Sequence, residues 1–425
     1  MLLPRDCTKL SIPLLTLSLS CTGDGPGVDE EEGEGETGDG DGDGVCTDPG
    51  MAVPEFDPFL PPEGTPSPTC STGWASDAPV EDAAWVAMIE DNVYYYSAPP
   101  FAKALSDGAA LLITQQSLQW FDGQGSPGAE LEHGLEGVRT GAVVVRDDDD
   151  HVFIAASLDN DDLVIREFAD GAMVGELSVP TPGVQTRAIG LFQFSTDEWL
   201  IVGDEYDALE YQNEAFFMHV DASGAEVLRK ARPLGYSYYY SPLISFAALD
   251  ADDNLLFGST QQQWLVDPSN GAVTNPGVGL TAVRDVVGSF VGAGFAVATQ
   301  QNNASNDAVA SFIDGSGSNQ WTQVYDRALT GESFFDVDAR PDGGFVAAGF
   351  DGIWWEPAQL QSGSQPMIIA FDEQGTAEWI GRLAIPGDAR SVNVAADGGI
   401  VATGRARLGG TDYNDIDAYI WIASW

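Results

Sequence analysis

The sequence predicts an all-β chain: a seven-bladed β-propeller of four-stranded antiparallel blades, its ring closed by strands from both ends, behind an acidic disordered tether. Three observations lead there. Tyr94-Tyr95-Tyr96-Ser97 recurs as Tyr238-Tyr239-Tyr240-Ser241, and Trp120 and Trp264 follow the two copies at the same distance. The offset is 144 residues without a gap, or three units of about 48, the size of a propeller blade. Seven short apolar runs, bounded by Gly, Asp and Asn, recur down the chain at spacings of roughly 40 to 55 residues, and no stretch holds a helical period over three turns.

At the start of the chain, Arg5 and Lys9 precede an apolar core over residues 12–19, then Ser20 and Cys21. This pattern reads as an export signal over residues 1–20, too short to span a bilayer as a mature helix. Ser18-Leu19-Ser20-Cys21 resembles the bacterial lipobox, in which the Cys is lipidated and becomes the first residue. The family prefers Leu three residues before the Cys, whereas Leu17 lies four before it. The resemblance implies a lipid anchor at Cys21, and Thr22 in the place of Asp implies sorting to the outer membrane or cell surface. The alternative is a plain secretory signal. Cys46 and Cys70 then form a candidate disulfide in an oxidising compartment, worth about 3–4 kcal/mol in the chain-entropy account, with free thiols as the alternative.

Residues 21–78 predict the tether. Eleven Asp or Glu and no Lys or Arg fall in residues 22–50, too polar to fold and self-repelling. Six Pro follow in residues 51–70 and stiffen the segment. Asp39, Asp41 and Asp43 are spaced like the first half of a calcium loop, but Gly50 stands where the closing Glu belongs, so calcium is at most a weak candidate. The whole chain has 66 acidic against 17 basic residues and a net charge of −49. Such a charge repels phosphate backbones and excludes nucleic acid as a partner.

Residues 79–425 predict the propeller. The runs at 110–114, 153–157, 200–203, 255–258, 295–299, 345–349 and 400–404 read as second strands, each after an Asp- or Gly-containing hairpin turn. A second turn with Asp and Gly follows in most units, and in two of them Trp321 and Trp379 close it. This Asp–Gly–Trp arrangement resembles the repeat of quinoprotein-like (PQQ-like) propellers. The resemblance implies the fold and says little about chemistry. Six or eight blades are the geometric alternatives. The C-terminal segment from Ala418 would be a third strand, and residues 83–89 would supply the missing fourth.

In such a ring, hairpins joining strands one to two and three to four share one face. The longer connections, at 205–214, 301–307, 351–365 and 405–417, lie on the other, with both Tyr runs. Tyr95, Tyr206, Tyr211, Tyr239, Trp354, Trp355, Arg405, Arg407 and Tyr413 are therefore the candidate binding residues. No catalytic residue is assigned. His133, His151 and His219 fall in turn or strand-end contexts, and no nucleophile elbow, phosphate loop or His-rich metal motif occurs. The expected function is a non-enzymatic, envelope-anchored binding or scaffold propeller. It would be monomeric, touch the membrane only through its lipid, and recognise a protein or glycan without a cofactor. The alternative is a propeller enzyme, either a carboxylate-based glycoside hydrolase or lyase or a quinone-dependent dehydrogenase.

Overall fold

A computed structural model describes residues 80–90 and 100–425, apart from 136, 147–148, 159–161, 180, 182–184, 196–197, 208–211, 234–243, 260–261, 276–279, 281–282, 301–306, 326–330, 353–364, 384, 386 and 409–416. Its strands form seven antiparallel sheets. Six contain four consecutive strands, and we number these blades 1 to 6 from residue 101. In blade 7, Gly387–Val394, Ile400–Leu408 and Asp417–Ser424 are joined by Trp85–Glu90, which runs antiparallel to the last of them. The expected closure from both ends is present. Val80–Glu81 adds a strand the sequence did not suggest, parallel to Ile380 and Gly381 on the outer edge of blade 6.

Seven apolar clusters tie the sheets into a ring, one at each joint between successive blades. The last joins Ala102, Leu112 and Phe121 of blade 1 to Val401, Ile420 and Ile422 of blade 7. This arrangement explains the seven apolar runs. In Ala110–Ile113, Leu111 and Ile113 face blade 2 while Ala110 and Leu112 face blade 7. A strand buried on both faces reads as a continuous apolar run rather than an alternation, and each fully buried Leu or Ile contributes roughly 1.5–3 kcal/mol. All seven runs lie in second strands.

The turns follow from local chemistry. Between third and fourth strands, Asp122, Asp221, Asp267, Asp314 and Asp372 each accept the backbone N–H two residues on, at 2.8 to 3.0 Å. An Asp side chain bonding its own turn makes the hairpin nearly self-contained. In two blades a Trp of the fourth strand docks on the next such turn. The Trp321 indole N–H donates to the Glu373 carbonyl at 3.1 Å, and its ring lies where a Cβ on Gly375 would come within 2.6 Å. Trp85 covers Gly125 in the same way. At other joints the stem of Lys230 covers Gly271 and Leu177 covers Gly224. The Trp of the sequence pattern is thus one of several side chains that fill this position.

The first strands of successive blades lie side by side around the axis. Four of them carry a one-residue bulge at the same register, placing Ile189, Arg284, Phe335 and Arg390 as the extra residues. Opposite three of these bulges the second strand has Gly203, Gly349 or Gly404. A Cβ on Gly349 would come within 1.8 Å of the Ser333 carbonyl oxygen, so the close approach of the strands at this bulge leaves room only for glycine.

One group of expectations needs correction. The connections at 205–214, 351–365 and 405–417 are shorter than the sequence suggested. The strand Glu198–Asp207 pairs with Gln212–Asp221 as far as Asp207 and Gln212. Asp351 pairs with Gln365, and Leu408 with Asp417. Ladder hydrogen bonds are made by the backbone, so a strand continues past the apolar core where its side chains turn polar.

Candidate functional site

First strands start, and second strands end, on the rim that carries the connections between second and third strands. Of the candidate binding residues, Tyr206, Arg405 and Arg407 lie near the ends of second strands on this rim. They belong to ladders rather than loops. Arg405 is partly buried, pairs with Asp388 across the ladder, and its backbone N–H donates to the Asp388 carboxylate at 3.3 Å. Tyr95, Tyr211, Tyr239, Trp354, Trp355 and Tyr413 lie outside the described residues, as do Cys21, Cys46, Cys70, Asp39, Asp41 and Asp43. The two Tyr runs, residues 94–97 and 238–241, also lie outside the described residues.

Charge gathers on the inner strands at this end. Arg187 forms a two-pronged ion pair with Asp204, at 2.8 and 2.9 Å. The same rung of blade 7 exchanges the signs, with Asp388 opposite Arg405. Asp388 also pairs with Arg390 at 2.5 Å. The Arg390 guanidinium lies over the Phe335 ring of blade 6 at 4.0 Å, a cation–π contact. Arg284 is exposed, and its pKa is lowered first by desolvation and then by the neighbouring Arg390 charge.

Deeper along the same strands, carboxylates join one blade to the next. Asp285 accepts the Val337 N–H at 3.4 Å, and Asp336 accepts the Val392 N–H at 2.8 Å. Asp338 accepts from the Asn393 side chain at 2.6 Å and from the Val394 N–H at 2.8 Å. Asn393 in turn accepts the Ala104 N–H at 2.8 Å. First strands have an open edge towards the axis, and these bonds satisfy amides that no further strand can reach. In blade 7 the register position of Asp336 holds Ser391, whose buried hydroxyl has no hydrogen-bond partner among the described residues. Burial, followed by the Asp336 charge and hydrogen bond, pushes the Asp285 pKa well up. Burial also raises Asp338 to about 6, against the opposing influence of Lys103.

The histidines are structural. His133 is buried, its ring bonded to the Thr114 carbonyl at 3.1 Å and accepting the Leu135 N–H at 3.1 Å, and burial lowers its pKa. His151 lies 2.6 Å from Glu167 across its hairpin. His219 packs edge-on against Phe194, and desolvation lowers its pKa. Among the described residues, no three His, Cys, Asp or Glu side chains are grouped to hold a metal ion.

The inner-strand cluster was missed in the sequence, although a signal existed. Val283-Arg284-Asp285-Val286, Phe334-Phe335-Asp336-Val337 and Ala389-Arg390-Ser391-Val392 occupy equivalent positions in three blades.

Comparison with models of protein families gives no match, and none is found among curated protein sequences. Solved structures do match. The Pan2 WD40 domain of Neurospora crassa is similar with a TM-score of 0.50 at 12% identity, over 80% of this chain and 94% of that one. The chain is also similar to one in the mitotic checkpoint complex, with a TM-score of 0.46 at 11% identity, over 88% of this chain and 98% of that one. BBS1N in complex with ARL6DN gives 0.46 at 12% identity, over 81% of this chain and 98% of that one. At such identities the first of these likenesses speaks for the propeller fold alone.

Proposed function

We propose that this chain is an exported, lipid-anchored, non-enzymatic propeller that captures a protein or glycan of the cell envelope on its loop-rich rim. One asymmetry between the two faces carries the reading. Hairpins on the opposite face are short and bond to themselves, as Asp250 does with the N–H groups of Asp252 and Asn254. The second-to-third-strand connections of blades 6 and 7 span 12 and 8 residues in the sequence, 353–364 and 409–416, and Trp354, Trp355 and Tyr413 belong to them. Aromatic side chains on variable connections above a rigid scaffold supply contact area at low entropic cost.

Anchoring rests on Cys21 and its preceding residues, and the acidic segment after it would hold the propeller away from the membrane. Growth with a fatty-acid analogue should label the wild-type protein and leave Cys21→Ala unlabelled; label retained by the variant would refute the anchor. The binding reading is tested by screening the full chain against envelope proteins and glycans. Saturable capture of one partner is expected, and no capture from either set would overturn it.

A further inference from the structure

At the joint that closes the ring, between blades 7 and 1, two buried polar groups have no hydrogen-bond partner among the described residues. One is the indole N–H of Trp85, in the strand that completes blade 7. Trp85 covers Gly125 as Trp321 covers Gly375, and a Cβ on either glycine would meet the ring at 2.6 Å. Trp321 also donates to the Glu373 carbonyl at 3.1 Å. Trp85 makes no such bond and lies instead on Phe121, the ring centres 6.1 Å apart. The other group is the hydroxyl of Ser391. Leu105 gives its N–H to Ala109 inside blade 1, so by alternation the N–H groups of Ala102 and Ala104 point to the inner edge. Asn393 takes that of Ala104 at 2.8 Å. Ser391 stands at the register of Asp336, which holds the Val392 amide of the next blade at 2.8 Å, yet it makes no bond to Ala102.

The covalent connection differs here as well. In blades 1 to 6 a hairpin joins the third strand to the fourth. In blade 7 these strands, Asp417–Ser424 and Trp85–Glu90, come from opposite ends of the propeller, and no hairpin joins them. A hairpin returns a parted strand to its partner across a few residues, whereas here only closure of the whole ring does so. The closing strand buries one face, with Trp85, Ala87 and Ile89 against blade 1. Its other face leaves Val86 45% and Met88 40% exposed. We propose that this joint is a release seam, at which the Trp85–Glu90 strand and blade 1 part from blade 7 while the other six joints stay closed. A buried donor or hydroxyl without a partner weakens the closed joint, and water meets both groups once it opens. Opening also bares the ladder edge of Asp417–Ser424, which a further strand can then pair.

Amide hydrogen exchange of the full chain, followed by mass spectrometry of its peptides, tests the seam. Blade 2 is the reference, because its third and fourth strands, Leu163–Ala169 and Ala172–Val179, are joined by a hairpin. The segments 85–90 and 417–424 should exchange about tenfold or more faster than those two strands. S391N offers the amide oxygen that Asn393 already uses on Ala104. It should slow both seam segments by about tenfold and leave blade 2 unchanged. W85A removes the ring from Gly125 and Phe121 and should speed the same two segments, again without a change in blade 2. Where S391N fails to fold, which thermal melting reports, the comparison of W85A with the wild type decides. Equal exchange in the seam and in blade 2 of the wild type would overturn the proposal. So would a W85A variant whose seam segments exchange as in the wild type, or one in which every blade is accelerated alike.

Discussion

Asp336 in blade 6 accepts the backbone N–H of Val392 in blade 7 at 2.8 Å. Together with the Asp285, Asp338 and Asn393 bonds, it forms a run of side-chain-to-amide links across four consecutive blades. Removing the acceptor leaves a buried amide unsatisfied, a cost of about 1–3 kcal/mol. Asp336→Ala should therefore lower stability by that amount in urea unfolding, and Asp336→Asn, which keeps an oxygen acceptor, by less. Equal stability of Asp336→Ala and the wild type would show that these links do not hold the ring.

Asp338 makes stability depend on pH in a defined direction. Its pKa is raised from the ordinary 3.8 to about 6 in the folded chain, so the folded state holds the proton more tightly than the unfolded state. The associated stabilisation is complete below the ordinary pKa and is lost as pH rises through about 6. The loss is on the order of 3 kcal/mol. Asp338→Asn cannot ionise, so its stability relative to the wild type should rise between pH 4.5 and 7.5. The comparison between two proteins cancels the general effect of the chain's negative charge. A gap that stays constant with pH would contradict the account.

Gly349 is required by the close approach of the strands at the bulge opposite it. A Cβ there would come within 1.8 Å of the Ser333 oxygen, and the backbone of both strands must move to admit it. Gly349→Ala should cost more than about 3 kcal/mol. Gly292 is a useful contrast, with φ of +78° but nothing within 4 Å of its Cβ position. Gly292→Ala should cost only about 1–2 kcal/mol, the price of a left-handed backbone. Similar melting temperatures for the two variants would refute the role given to the bulge.

The sequence revealed those parts of the fold whose causes are local or repeated. The second strands were legible because burial on both faces makes them wholly apolar, as in Leu111, Leu112 and Ile113. The hairpins at Asp314 and Asp372 were legible because an Asp bonding its own turn needs no distant partner. The closing strand at Trp85 was legible because the last blade lacked one. The extension of strands through Asp207, Asp351 and Leu408 was not, since a backbone ladder leaves no side-chain signature. Nor was the cluster of Arg284, Phe335 and Arg390. It depends on bulges in three separate strands, and a bulge is a property of pairing rather than of composition.

The central claim is that the loop-rich rim is the working face. Its most direct test is capture of envelope components by the full chain, by the Trp354→Ala/Trp355→Ala double variant, and by Phe290→Asp. Phe290 is 60% exposed and lies on the opposite face, in the hairpin after the first strand of blade 5. The account predicts that the double variant melts like the wild type and loses its partner, while Phe290→Asp retains it. Undiminished capture by the double variant, or loss of capture in Phe290→Asp alone, would contradict it.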